Sequence, residues 1–145
     1  GDAKMKSAFQ EFNRIDGQIE RLYHDAAVKM GLPDSVFWIL YVLITCGPEL
    51  LQTELTDITG LRKTTVNSAL KKMEREGDLK LLPGSGRNVR AALTEQGRRL
   101  AEDTVCRLVA LENRIYESWS PEEQAMLIRL NRDYAEKLEG MMQEL

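Results

Sequence analysis

The stretch LLQTELTDITGLRKTTVNSALKKMEREGDLKLLPGSGRNVRAAL, Leu50 to Leu93, decides the fold. Leu51, Leu55 and Ile58 recur at helical spacing, so Leu51 to Thr59 reads as a short amphipathic helix closed by Gly60. Val66, Leu70 and Met73 set the inward face of a second helix from about Lys63 to Glu76, with Gly77 as its stop. Leu79-Lys80-Leu81 and Val89 to Leu93 read as strands around Pro83-Gly84-Ser85-Gly86, which is a turn. Two short helices followed by a β-hairpin make a winged helix-turn-helix. The expected fold class is mainly α with a small β-hairpin wing, extended by long terminal helices.

Working outward, Met5, Phe9, Phe12, Ile15, Ile19, Leu22, Ala26 and Met30 mark a long amphipathic helix ended by Gly31 and Pro33. Val36 to Thr45 is apolar nearly all round and reads as a buried central helix, stopped at Gly47-Pro48. Thr94-Glu95 starts another long helix, with Leu100, Leu108, Leu111, Ile115 and Trp119 on one face. Ser120-Pro121-Glu122-Glu123 carries an N-cap, a proline at N1 and a capping-box Glu. The last helix then aligns Leu127, Leu130, Tyr134, Leu138, Met141 and Leu145.

The middle segment is too small to cover three long apolar stripes, so the remainder is expected to be buried against a second copy. A three-helix intramolecular bundle is the alternative. The expected organisation is a winged helix-turn-helix over 32–94, with dimerisation helices over 1–31 and 95–145.

Charge is unevenly placed. Leu61 to Leu93 holds eight basic and three acidic residues, a net +5, in a chain whose formal charge is −3. Phosphate attraction acts within about a Debye length, roughly 8 Å, so this local excess matters more than the total. The second helix offers Arg62, Lys63, Thr64, Thr65, Asn67, Ser68 and Lys71 on its outer side. Short polar side chains near a helix N-terminus let the backbone approach base edges in a major groove. Asn67 suits a bidentate pair with adenine, and the Thr methyls suit thymine. Arg62, Lys63 and Lys71 suit phosphates, which set register rather than sequence. Arg87, just past the hairpin turn, suits a narrow minor groove, and Arg90 on the flanking strand suits phosphate or solvent. The expected partner is double-stranded DNA.

The pattern resembles the MarR family (multiple antibiotic resistance regulators) of bacterial winged-helix transcription factors. The resemblance rests on LQTELTDITGLRKTTVNSALKKMEREGDLK and on the run from Arg87 to LTEQGRRLA; the terminal helices match by length and pattern. It implies a homodimer with interlocked first and last helices, a recognition helix in the major groove and a wing in the minor groove of a palindromic operator. It further implies a regulator, most often a repressor, released by a small-molecule effector. Three positions depart from the family pattern. Arg62 replaces the usual Ser at the recognition-helix N-cap, Ser68 replaces an Arg near its middle, and Ser85 replaces the wing's acidic residue ahead of Arg87.

Many members of the family bind small aromatic or anionic ligands, for which Tyr23, His24, Trp38 and Tyr41 would be the lining here; ordinary core packing explains the same residues. Some members sense oxidants through a cysteine near the first helix, a place neither Cys46 nor Cys106 occupies. A redox-responsive regulator working through these two residues is an alternative, although buried structural cysteines are the simpler reading. A winged-helix protein-interaction module without DNA contact is another; the basic helix opposes it, because interaction faces are more often apolar.

Nothing points to an enzyme, since there is no Gly-rich phosphate loop and no nucleophile with a base. One His and two distant Cys give no metal-ligand spacing, and no cofactor is expected. No apolar run spans a bilayer, Met5 to Ile15 mixes charges unlike a signal peptide, and the expected location is cytoplasmic.

Overall fold

The apolar run around Val36 forms the centre of the core. In the computed structural model, which describes residues 4–84 and 89–145, it lies in helix α2 (Asp34–Cys46). Val36, Phe37, Ile39, Leu40, Val42 and Leu43 are all buried there. Helix α1 (Ser7–Lys29) precedes it, and Ala27 is its one buried residue. After α2 come strand β1 (Glu49–Leu51), helices α3 (Gln52–Thr59) and α4 (Lys63–Arg75), and strands β2 (Leu79–Pro83) and β3 (Val89–Leu93). Helices α5 (Glu95–Asp103), α6 (Val105–Glu117) and α7 (Pro121–Met141) follow, with a final 3₁₀ turn at Met142–Glu144.

The wing is a three-stranded antiparallel sheet in the order β1-β3-β2, not a bare hairpin. The Gly47-Pro48 break returns the chain in extended form along the open edge of β3, where Leu50 pairs with Ala91 and is buried. Leu51, expected as the first residue of a helix, therefore ends a strand. Glu54 replaces the missing cap of α3, its carboxylate accepting from the Leu51 N–H at 2.9 Å.

The long helix expected from Glu95 to Trp119 is broken at Thr104, whose backbone leaves the helical region at φ −126°, ψ −95°. The Thr104 hydroxyl donates to the Leu100 carbonyl at 2.6 Å, and its N–H reaches back only to Ala101. Such a bond to the preceding turn favours a bend, and here it coincides with the break, whereas the same bond from Thr56 to Gln52 leaves α3 intact. Leu145, expected on the last helical stripe, lies beyond the 3₁₀ turn.

Gly1–Arg107 and Leu108–Leu145 form two compact units. The first holds the core, in which Leu55, Val66, Leu70, Met73, Leu79 and Val105 are buried along with the α2 side chains. In the second, α7 begins with the capping box read from the sequence: Ser120 Oγ accepts from the Glu123 N–H, and Glu123 accepts from the Ser120 N–H. Yet α7 has no buried residue, and Leu127, Leu130, Tyr134, Leu138 and Met141 are all exposed.

Candidate nucleic-acid interface

The turn between α3 and α4 requires a glycine. Gly60 adopts φ +71°, ψ 7°, a left-handed conformation that costs other residues energy, and its N–H closes α3 on the Thr56 carbonyl. Thr59 stiffens the exit, its hydroxyl donating to the Leu55 carbonyl at 2.6 Å and accepting from the Leu61 N–H at 3.2 Å. Leu55, Val66 and Leu70 pin the helices together. Ile58 does not; it stays 49% exposed, because two turns of helix present only Leu55 squarely to the core.

Val66, Ala69, Leu70 and Met73 anchor the inner face of α4. Thr64, Ser68, Lys71 and Arg75 follow at four-, three- and four-residue steps, so they share the opposite face, and all are exposed. Arg62 is the N-cap and makes no side-chain capping bond, leaving its guanidinium outside the helix. Lys63 and Thr65 are exposed on the flanks.

Asn67 differs from expectation. It is half-buried, and its Oδ1 accepts from Gln52 Nε2 of α3 at 3.4 Å. The position lies about 100° from Val66 around the helix, beside α3 rather than at the crest. Beside it, Leu51, Gln52, Thr53, Thr56, Asp57, Lys63 and Val89 line an open groove of about 270 Å³.

Arg75 and Lys72 extend the basic surface beyond the residues singled out in the sequence. Continuing the step from Thr64 through Ser68 and Lys71 would have reached Arg75. Among the described residues, Lys63, Lys71, Lys72 and Arg75 form no ion pair, so their charge is not neutralised within the chain. Arg90 is exposed on β3, opposite Leu51 on one side and Leu82 on the other. Arg87, with Ser85, lies outside the described residues.

The far end of α4 closes in a Schellman motif. Asp78 N–H reaches the Met73 carbonyl at 2.9 Å, Gly77 N–H reaches Glu74, and Gly77 takes φ +86°. Thr94 caps α5 by accepting from the Gly97 N–H, and it also donates to the Gly77 carbonyl at 2.6 Å.

Three of the four residues considered for a ligand pocket, Tyr23, Trp38 and Tyr41, come together, while His24 bonds elsewhere. Tyr23 stacks on Trp38 at 5.5 Å between ring centroids, and Trp38 meets Tyr41 edge-on at 5.6 Å. Phe37 joins from beneath, with Trp38 at 4.9 Å. His24 Nδ1 contacts Asp34 Oδ2 at 2.8 Å, tying α1 to the start of α2; both side chains are more than half exposed.

The cysteines are not both packed away as expected. Cys46, at the C-terminal end of α2, is exposed, because the apolar part of that helix ends before it. Cys106 is half-buried, and its thiol is pushed above the usual range by burial and then by the negative charge of Glu102. Both effects disfavour the reactive thiolate. Among the described residues no group of His, Cys, Asp and Glu is placed to hold a metal. No single helix is long and apolar enough to cross a membrane.

Residues 30–87 match the MarR family model, a span that contains α2 to β2. No curated protein matches the chain. Solved structures with the same fold include NMB1585, a MarR family regulator from Neisseria meningitidis. It is 22% identical, with a TM-score of 0.82, over 97% of this chain and 99% of that one. Sco3205, a MarR family transcriptional regulator from Streptomyces coelicolor solved in complex with DNA, is 21% identical. Its TM-score is 0.71 over 94% of this chain and 92% of that one. NadR in complex with 4-hydroxyphenylacetate is 19% identical, with a TM-score of 0.73 over 93% and 96%. The segment 30–87 is thus a MarR family sequence, and the chain as a whole takes the winged-helix fold of that family's transcriptional regulators.

Proposed function

We propose that the chain is a homodimeric transcriptional regulator that binds double-stranded DNA at a palindromic operator, acts as a repressor and is released by a small-molecule effector. One observation carries the DNA reading: Thr64, Ser68, Lys71 and Arg75 form an exposed, unneutralised face on a helix whose other face is locked in the core. Short polar groups at the N-terminal end suit base edges, and cations further along suit phosphates. Arg62, Lys63 and Thr65 flank that face, Asn67 reads from its α3 side, and Arg87 and Arg90 contact DNA from the wing. That Sco3205 was solved with DNA on the same fold supports the reading.

The exposed apolar side chains of α1 and α7 support the dimer, since water contact with Ile15, Ile19, Leu130 and Leu138 is relieved by a second copy. In this dimer 1–31 and 95–145 hold the subunits together and 32–94 meets DNA. Two recognition helices then lie about 34 Å apart, one turn of B-DNA.

An aromatic or anionic effector would enter at Tyr23, Trp38 and Tyr41, with His24 beside them. It would act by favouring a dimer with the wrong helix separation, which requires different affinities for the two states. The complex of NadR with 4-hydroxyphenylacetate supports an aromatic acid as the ligand class. The deciding experiment titrates the protein on the duplex upstream of its own gene across a salt series. Specific binding should weaken steeply with salt, and a protein that fails to retard any duplex is not this regulator.

A further inference from the structure

The junction between α4 and β2 is tied to the first turn of α5 by side-chain bonds that the DNA-facing surface does not use. Gln96 Nε2 donates to the Glu76 carbonyl at 2.7 Å and to Asp78 Oδ1 at 2.8 Å. A primary amide has two hydrogens, so both bonds form at once. The Glu76 carbonyl belongs to the C-terminal end of α4, where carbonyls lack helical partners. Asp78 is only 8% exposed, and a carboxylate so placed needs a donor. The amide also lies against Gly77, within 3.3 Å of where a Cβ would stand.

We propose that Gln96 is a positioning residue, whose side-chain amide latches the C-terminal end of α4 to α5 and so fixes the angle at which α4 presents Thr64, Ser68, Lys71 and Arg75. The inference rests on the DNA-binding reading above. Thr94 reinforces the latch through Gly77, and the Thr94 N–H donates to the Asp78 carbonyl at 3.1 Å. Residues 76–78 and 94–97 therefore form one hydrogen-bonded unit. The polar tie near the middle of α4, between Gln52 and Asn67, is longer at 3.4 Å, and the rest of the helix is held by apolar packing. Apolar packing of the inner face sets the crossing angle of α4 within a range, and the directional bonds at its C-terminal end narrow that range.

The test compares wild type, Gln96→Leu and Asp78→Asn in the full chain. Each is titrated on a duplex selected from a randomised pool for tightest wild-type binding and on a scrambled duplex of equal length. Thermal unfolding is measured in parallel. Gln96→Leu removes both donors and should lower the ratio of selected to scrambled affinity by about tenfold, with the salt slope unchanged. Asp78→Asn keeps an acceptor for Gln96 and should stay within about twofold of wild type. Equal losses on both duplexes that track a fall in melting temperature would make Gln96 a stabilising residue only and overturn the inference. An unchanged ratio would overturn it too. If wild type itself does not distinguish the duplexes, the DNA-binding reading fails first, and this inference with it.

Discussion

A Cβ on Gly97 would stand 1.8 Å from the carbonyl oxygen of Asp78, so α5 and the start of β2 approach as closely as only glycine permits. That carbonyl also accepts from the Thr94 N–H and cannot turn aside without breaking the bond. Gly97→Ala should destabilise the protein by about 3 kcal/mol, the upper part of the overpacking range. Gly140, in α7, has nothing within 4 Å of its added Cβ, and Gly140→Ala should gain about 0.5 kcal/mol from helix propensity. Denaturant midpoints of the two variants should move in opposite directions.

Ser120 and Glu123 cap α7 reciprocally at 3.2 and 2.9 Å. Ser120→Ala should cost about 1 kcal/mol of stability. Ser120→Asp keeps an acceptor and should cost little, which calorimetry of the pair would show.

With no buried residue in α7, a charge on its apolar stripe should spare the core and break the proposed dimer. Leu130→Glu combined with Leu138→Glu should give a folded monomer at micromolar concentration by sedimentation. Operator binding should fall with it, because one recognition helix reads only a half-site. A wild-type protein that already sediments as a monomer would remove the dimer from the proposal.

Each phosphate contact contributes about 0.9 to the slope of log affinity against log salt. Lys71→Ala and Arg75→Ala should therefore each flatten that slope by about 0.9 while leaving sequence preference intact. Asn67→Ala should do the reverse, changing preference at one base position with the slope preserved. Arg87→Ala should weaken binding most on sites with an A·T-rich flank, where the minor groove is narrow.

The two thiols should differ in reactivity. Burial and Glu102 raise the Cys106 thiol above its ordinary range, so less thiolate is present at any pH below that raised value. Iodoacetamide at pH 7.5 should alkylate exposed Cys46 well before Cys106, and the Cys106 rate should rise over a higher pH window. Peptide mass spectrometry of a time course resolves the order.

The helices of the winged segment were legible because their signals are local. Val66, Leu70 and Met73 repeat at helical spacing, and Gly60 and Gly77 stand where left-handed caps are needed. Strand β1 was not legible, because a three-residue strand takes its identity from pairing with β3, about forty positions away. The Thr104 break was hidden because threonine occurs in intact helices, and only the backbone at Thr104, outside the helical region, marks the interruption. Asn67 looked outward in the sequence and proved half-buried, since the neighbour that holds it, Gln52, comes from another helix. The exposure of Cys46 was missed because a general tendency of cysteine stood in for its place at a helix end.

By itself the sequence determined the helix, turn, helix and hairpin of the winged segment, the burial of α2, the inward face of α4, the cap at Ser120, and the concentration of positive charge between Leu61 and Leu93. All of these depend on periodicity, turn chemistry and composition, which act over a few residues. Only the tertiary structure decided that, among the described residues, Lys71 and Arg75 stand clear of ion pairs, that Gln96 bonds both Glu76 and Asp78, and that Gly97 admits no side chain. These facts depend on which distant segments the folded core brings within a few ångströms, and such proximity leaves no local mark on the chain.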